Sequence, residues 1–239
     1  MTTKTIQVTG ESDTRVNLVV FDMAGTTVED SGLVQQSFLA ADTHAGLSKT
    51  AAEREEMLRY VSDTMGQSKI VVFRHLSHGN EEKAQAANKE FERCYAQLVA
   101  DGHCSPIPGA EDVITSLRSR GIKTALTTGF AKETQSAIIE ALGWQNLADV
   151  VLCPQPGVRG RPYPDMPLTA LMRTETTSVR SMIVVGDTVS DVISGLRAGA
   201  RASIGVLTGA HNTAQLSAAG ATHILDSVAD LPGLVAALG

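Results

Sequence analysis

The chain has 239 residues, of which 43% are hydrophobic and 19% charged, so it can bury a core and is too apolar for a disordered segment. Its net charge of −6 argues against general binding to nucleic acid or an anionic membrane, although a local basic pocket stays open. Three cysteines without a C-x-x-C pair suit reduced thiols, and six histidines without H-x-H or H-E-x-x-H spacing predict no zinc site.

No apolar run reaches transmembrane length, and the N-terminus lacks the apolar stretch of a signal peptide, so the expected location is cytoplasmic. Residues 1–14 are polar and aperiodic, a predicted flexible tail. Residues 16–21 form an apolar, β-branched run, the pattern of a strand buried on both faces. The run breaks off at Asp22, before the small and hydroxyl-bearing residues Ala24, Gly25, Thr26 and Thr27. A strand that ends this way holds its carboxylate rigidly at the edge of a sheet. The turn behind it leaves N–H groups and hydroxyls free for an anion.

From residue 31 to 103 the apolar spacing becomes helical. Helices are predicted over 33–45, 50–64, 68–76 and 81–100, with Met57, Leu58 and Val61 facing inward on the second and Phe91, Tyr95, Leu98 and Val99 on the fourth. An all-helical block directly after the first strand is predicted to be a domain of its own. From residue 104 strands and helices alternate. Helices are expected over 110–120, 132–142, 165–173, 189–198 and 213–219, and strands over 122–127, 150–153, 182–185, 202–206 and 223–225. Glycines at 121 and 143 stop the first two helices. The fold class is therefore α/β: residues 15–30 and 104–239 form a parallel-sheet core, and 31–103 an inserted α-helical block.

In such a sheet, ligands bind outside the carboxyl ends of the strands. Four of those ends carry reactive groups: Asp22, Thr128, Arg161 in the loop 154–164, and Asp187. Each has an ordinary reading alone. An Asp at a helix start often only caps it, and a loop Arg is often a surface cation. Together they suit an anion beside a hard cation. Arg161 can grip a phosphoryl group bidentately, Thr128 can donate a hydrogen bond, and Asp22 with Asp187 can hold Mg²⁺ through oxygen. Asp191, four residues beyond Asp187, can face the same crevice.

The series Asp22–Met23–Ala24–Gly25–Thr26–Thr27, Thr128–Gly129, Arg161–Pro162–Tyr163–Pro164 and Gly186–Asp187–Thr188–Val189–Ser190–Asp191 resembles the haloacid dehalogenase (HAD) superfamily. Within it the resemblance is to the phosphonatase branch, the phosphonoacetaldehyde hydrolases and phosphonatase-like hydrolases. It implies a Rossmann-like core with a helical cap. It makes Asp22 a nucleophile that forms an aspartyl-phosphate, with Mg²⁺ held by Asp22, the Ala24 carbonyl and Asp187 and supported by Asp191. Thr128, the Gly129 amide and Arg161 would then hold the phosphoryl oxygens.

Ordinary phosphatases of the superfamily carry an acid two residues after the nucleophile; here that position is Ala24, which has no proton to give. Phosphonatases instead use a cap lysine that forms a Schiff base with an aldehyde. Met65–Gly66–Gln67–Ser68–Lys69 resembles their Met-Gly-x-x-Lys motif, which implies substrate contacts at Met65 and Gly66 and the imine at Lys69. Lys69 opens an apolar run, so burial can lower its pKa; a lone lysine there could equally snorkel to solvent. Phosphonoacetaldehyde hydrolases place a histidine three residues after that lysine, where this chain has Val72.

The expected function is Mg²⁺-dependent cleavage of a small phosphonate. A phosphatase of a small phosphate monoester and a non-catalytic phosphometabolite-binding protein are the alternatives. The expected partner is a small phosphonate or phosphate metabolite, with no nucleic acid and no membrane; a homodimer stays open.

Overall fold

A computed structural model describes residues 15–238; the predicted tail over 1–14 lies outside the described residues. The central strand is β1 (Leu18–Asp22), with all five residues buried. Around it, β2 (Lys123–Thr127), β3 (Val150–Leu152), β4 (Met182–Gly186), β5 (Ala202–Val206) and β6 (His223–Leu225) complete a sheet in the order β3-β2-β1-β4-β5-β6. All five pairings are parallel. Strand order reverses at β1, so β1 and β4 part at their carboxyl ends and leave a crevice between them. Asp22 is the last residue of β1, and Asp187 directly follows β4.

The helices before β2 are α1 (Leu33–Ala45), α2 (Ala51–Asp63), α3 (Lys69–Leu76), α4 (Glu81–Ala100) and α5 (Ala110–Ser119). Those after it are α6 (Lys132–Ala141), α7 (Asp165–Arg173), α8 (Val189–Arg197), α9 (Thr213–Ala218) and α10 (Leu231–Leu238). The sequence reading does not include α10. Its apolar residues Leu231 and Val235 follow the last strand after a short 3₁₀ turn, too short a stretch to show a period. Other boundaries shift by a residue or so, because hydrogen bonding rather than hydropathy sets an element's last residue. Of the expected inward faces, Met57, Val61, Phe91, Tyr95 and Val99 are buried, whereas Leu58 and Leu98 are only partly so.

α1 to α4 stand over the carboxyl ends of the strands. α4 packs against α1 and α3 on one side and against α6 on the other. An aromatic cluster binds this arrangement. Phe38 of α1 lies 4.9 Å from both Phe73 of α3 and Phe91 of α4, and Tyr95 of α4 lies 4.4 Å from Phe130, which follows β2. The buried apolar cluster consequently runs without interruption from these helices into the sheet residues Val19, Phe21 and Leu126.

Because Phe91 is fully buried and packs beside four other rings, Phe91→Ala should lower the free energy of unfolding by about 3–5 kcal/mol. Urea unfolding measures this, and a loss below about 1 kcal/mol would mean that the rings do not share one packed cluster.

Candidate active site

Burial of β1 on both faces leaves Asp22 no freedom, and the carboxylate is 4% exposed. The chain then turns tightly: Gly25 N–H donates to the Val28 carbonyl at 2.7 Å, and Thr27 N–H to the Met23 carbonyl at 2.8 Å. This turn brings Thr26 to Asp187, whose Oδ1 accepts from the Thr26 hydroxyl at 3.1 Å. Asp187 Oδ2 accepts from Ala210 N–H at 2.7 Å. The carboxylate is wedged between two glycines. A β-carbon at Gly25 would lie 2.5 Å from Asp187 Oδ2, and one at Gly209 only 2.0 Å away. The loop after β5 thus belongs to the site, which the sequence reading did not include. The signal was available, since that loop also leaves the carboxyl end of a strand.

Asp191 is the third residue of α8. Its Oδ2 accepts from the Thr188 hydroxyl and from Thr188 N–H at 3.1 Å, a reciprocal capping box. Its Oδ1 meets Arg161 Nη1. The same Nη1 lies 2.6 Å from Asp22 Oδ1, so one guanidinium nitrogen joins two buried carboxylates. Arg161 Nε is buried and has no hydrogen-bond partner among the described residues. Arg161 also lines the cavity, so its guanidinium can meet an incoming anion there. Thr128 Oγ1 accepts from Phe130 N–H at 3.3 Å, which leaves the hydroxyl proton for a ligand.

The charges do not balance. Three carboxylates, Asp22, Asp187 and Asp191, come within 4.8 Å of one another around one guanidinium. Burial pushes Asp22 well above the usual carboxylate range; Arg161 pulls it back, and Asp191 and Asp187 push it up again. Burial, and then Asp191, push Asp187 up to about 6. Arg161 stays charged because Asp191 and Asp22 outweigh its burial. An all-oxygen set with excess negative charge is the donor chemistry that a hard divalent cation matches. The three aspartates fit such an ion.

Asp22, Ala24, Met65, Gly66, Lys69, Thr128, Gly129, Arg161 and Asp187 line one cavity of about 410 Å³. Asp191 stands behind it. Lys69 enters from α3 and is 5% exposed, with Nζ 5.2, 5.7 and 5.8 Å from the ring centres of Phe130, Phe38 and Phe91. Burial pulls its pKa below the usual lysine range; Asp30, Glu92 and Asp22 oppose this, and Arg161 adds to it. The helical block reaches the core here through bare backbone. Lys69 N–H donates to the Gly129 carbonyl at 3.3 Å. A β-carbon at Gly129 would come 2.5 Å from the Gln67 carbonyl oxygen, and one at Gly66, whose φ is +84°, 2.4 Å from Thr188 Oγ1.

A family model described as haloacid dehalogenase-like hydrolase matches residues 16–199. A phosphonoacetaldehyde hydrolase of Bacillus cereus is 33% identical over 207 residues, covering 82% of this chain and 77% of its own. The crystal structure of a phosphonoacetaldehyde hydrolase-like protein from Oleispira antarctica superposes with a TM-score of 0.78 at 25% identity, over 100% of this chain and 96% of that one. A hydrolase from Pseudomonas syringae shares the fold, with a TM-score of 0.80 at 19% identity over 92% and 98% of the two chains.

The raised carboxylates set a pH signature. A folded-state pKa above the unfolded value means that the folded protein binds the extra proton, so this part of stability is lost as pH rises toward about 6. A divalent cation competes with those protons. The rise in melting temperature on adding the cation should therefore be larger at about pH 7.5 than at about pH 5. Equal shifts at the two pH values would place the cation elsewhere.

Proposed function

The chain belongs to the haloacid dehalogenase-like hydrolase family, and from that premise we propose that this hydrolase cleaves the carbon–phosphorus bond of a small carbonyl phosphonate. The observation that carries the reading is that Lys69 and Asp22 share one cavity, with Ala24 where a phosphatase of this superfamily carries its acid. The relatives named phosphonoacetaldehyde hydrolase support it.

The chemistry divides between the two residues. The Lys69 amine condenses with the substrate carbonyl to an iminium ion and expels water. Asp22 attacks phosphorus, forming the aspartyl-phosphate as the P–C bond breaks, and the bonding pair leaves on carbon as an enamine. Without the iminium that pair has no sink, and the Ala24 methyl offers no proton to a leaving group. The enamine carbon then takes up a proton from solvent and becomes an iminium ion again; water hydrolyses the acyl phosphate to inorganic phosphate, and the iminium to the free carbonyl product and Lys69. Thr128, the Gly129 amide and Arg161 hold the phosphoryl oxygens. Asp22, the Ala24 carbonyl and Asp187 would hold Mg²⁺, with Asp191 supporting it from behind, and the ion would supply the positive charge that lets an anionic nucleophile approach an anionic phosphonate. In this reading α1 to α4, within 31–103, act as a cap that closes the chamber. The substrate is a soluble cytoplasmic metabolite; no described helix is long and apolar enough to cross a membrane.

A small phosphate monoester is the second reading. Val72 favours it, because the residue three after Lys69 is an apolar side chain 2% exposed and has no proton to move.

Borohydride added with phosphonoacetaldehyde should leave a reduced adduct on Lys69, read by peptide mass spectrometry. Lys69→Arg keeps the charge, cannot form the imine, and should abolish both the adduct and phosphonate cleavage. Fast ester hydrolysis with no adduct would establish the second reading. Under either reading Asp22→Asn should cut phosphate release by on the order of 10³-fold or more, with the fold retained.

A further inference from the structure

The imine chemistry moves protons at Lys69 Nζ and at the carbonyl oxygen, and none of the residues assigned so far carries them. Lys69 Nζ itself makes no hydrogen bond and no ion pair among the described residues. No histidine lines the cavity among the described residues. His211, just behind the cavity, is committed at both ring nitrogens: Nδ1 accepts from Val189 N–H at 2.8 Å and Nε2 faces the Ser62 carbonyl at 3.2 Å.

One carboxylate in the chamber has no role yet. Asp30, between the β1 turn and α1, lines the same cavity as Asp22 and Lys69. Of all the acids acting on Lys69 it exerts the strongest pull, ahead of Glu92 and Asp22. Glu92 also shares a cavity with Lys69, but a second one that Asp22 does not line; its Oε1 accepts from Ala131 N–H at 3.2 Å, and its Oε2 has no hydrogen-bond partner among the described residues. Asp30 differs in lining the cavity that holds both Lys69 and Asp22, where the two ends of one substrate must lie. Burial raises the Asp30 carboxyl above its ordinary range, against the pull of Lys69 and of its backbone donors, so it can hold a proton more readily than a solvated acid.

Asp30 also has a structural task. α1 starts at Gly32, which has no side chain to cap it, and Asp30 Oδ1 accepts from Val34 N–H at 3.0 Å. Capping needs only an oxygen acceptor, which an amide or a hydroxyl supplies equally well. It does not account for a carboxylate that faces the chamber holding the amine.

We propose that Asp30 is the proton carrier of the Lys69 imine, an inference that rests on the phosphonate reading. Its carboxylate takes one proton from the Lys69 ammonium, and the free amine attacks the carbonyl carbon. The carboxylic acid protonates the resulting alkoxide and takes a proton back from the new C–N nitrogen, giving the neutral carbinolamine. It then gives that proton to the hydroxyl group, which leaves as water as the C=N bond forms. Asp30 ends as the carboxylate it began as. Lys69 and the aldehyde have become an iminium ion and one water.

The test follows Lys69 trapping over time with phosphonoacetaldehyde and borohydride in the wild type, Asp30→Asn and Asp30→Ser. Both variants keep an acceptor for the α1 N-terminus, and the melting temperature checks the fold. The expected result is a trapping rate lower by about 10²-fold or more in both variants, because a positioned acid–base group contributes on that scale. The final extent of adduct should be unchanged, since Lys69 remains. Trapping within about threefold of the wild-type rate in either folded variant would reduce Asp30 to a helix cap. A reduced extent with a lowered melting temperature would likewise assign it a structural role. Should the wild type itself form no adduct, the phosphonate reading fails, and this inference fails with it.

Discussion

A single guanidinium nitrogen, Arg161 Nη1, lies between the carboxylates of Asp22 and Asp191, with all three side chains out of solvent. Isolated, any of these charges would be costly to bury. Linked, they hold three separate elements in register: the end of β1, the loop before α7 and the first turn of α8. Removing Arg161, the one cation of the group, would leave the carboxylates buried and uncompensated, a loss of about 3–5 kcal/mol. The crevice at the strand-order reversal therefore has a fixed polar floor. The surplus negative charge on that floor gives a cation its place, and Arg161, which lines the cavity, gives an anion its place beside it.

The roof obeys a different physics. Lys69 sits among three aromatic faces without a hydrogen bond, so it loses hydration, and the rings and the carboxylates of Asp30, Glu92 and Asp22 offset that loss only in part. That environment favours the neutral amine, the form with a lone pair to share. The floor is polar and cross-linked, whereas the roof is apolar and holds one reactive nitrogen. The substrate we propose, with a phosphonate at one end and a carbonyl at the other, would meet both surfaces.

Much of this was legible in the residues. The apolar run before Asp22, the glycine stops and the strand–helix alternation pointed to the parallel sheet, and the four loaded strand ends pointed to the charged part of the cavity wall. What escaped shares a physical origin. Asp191 reads as one more carboxylate beside Asp187, yet its two oxygens are taken by Arg161 and Thr188, and it stands behind the cavity. Spacing along a helix reports a face and not a hydrogen-bond partner. Gly209 and Ala210 lack reactive side chains, and what they give Asp187 is an N–H group and room. Asp30 reads as an ordinary polar residue before a helix. Only the folded chamber, which brings residues 30 and 69 to one wall, gives it a neighbour.

The seam between roof and floor is made where side chains are missing. At Gly129 and Gly66 the two parts approach so closely that even a methyl group would overlap a carbonyl or a hydroxyl oxygen. A lid seated by hydrogen bonds between long side chains could part a little and still hold. One seated on bare backbone has no such slack. An extra carbon atom at either glycine is a wedge in a door frame: the reactive parts all stay present, and the room in which the proposed intermediates would be kept from water no longer shuts.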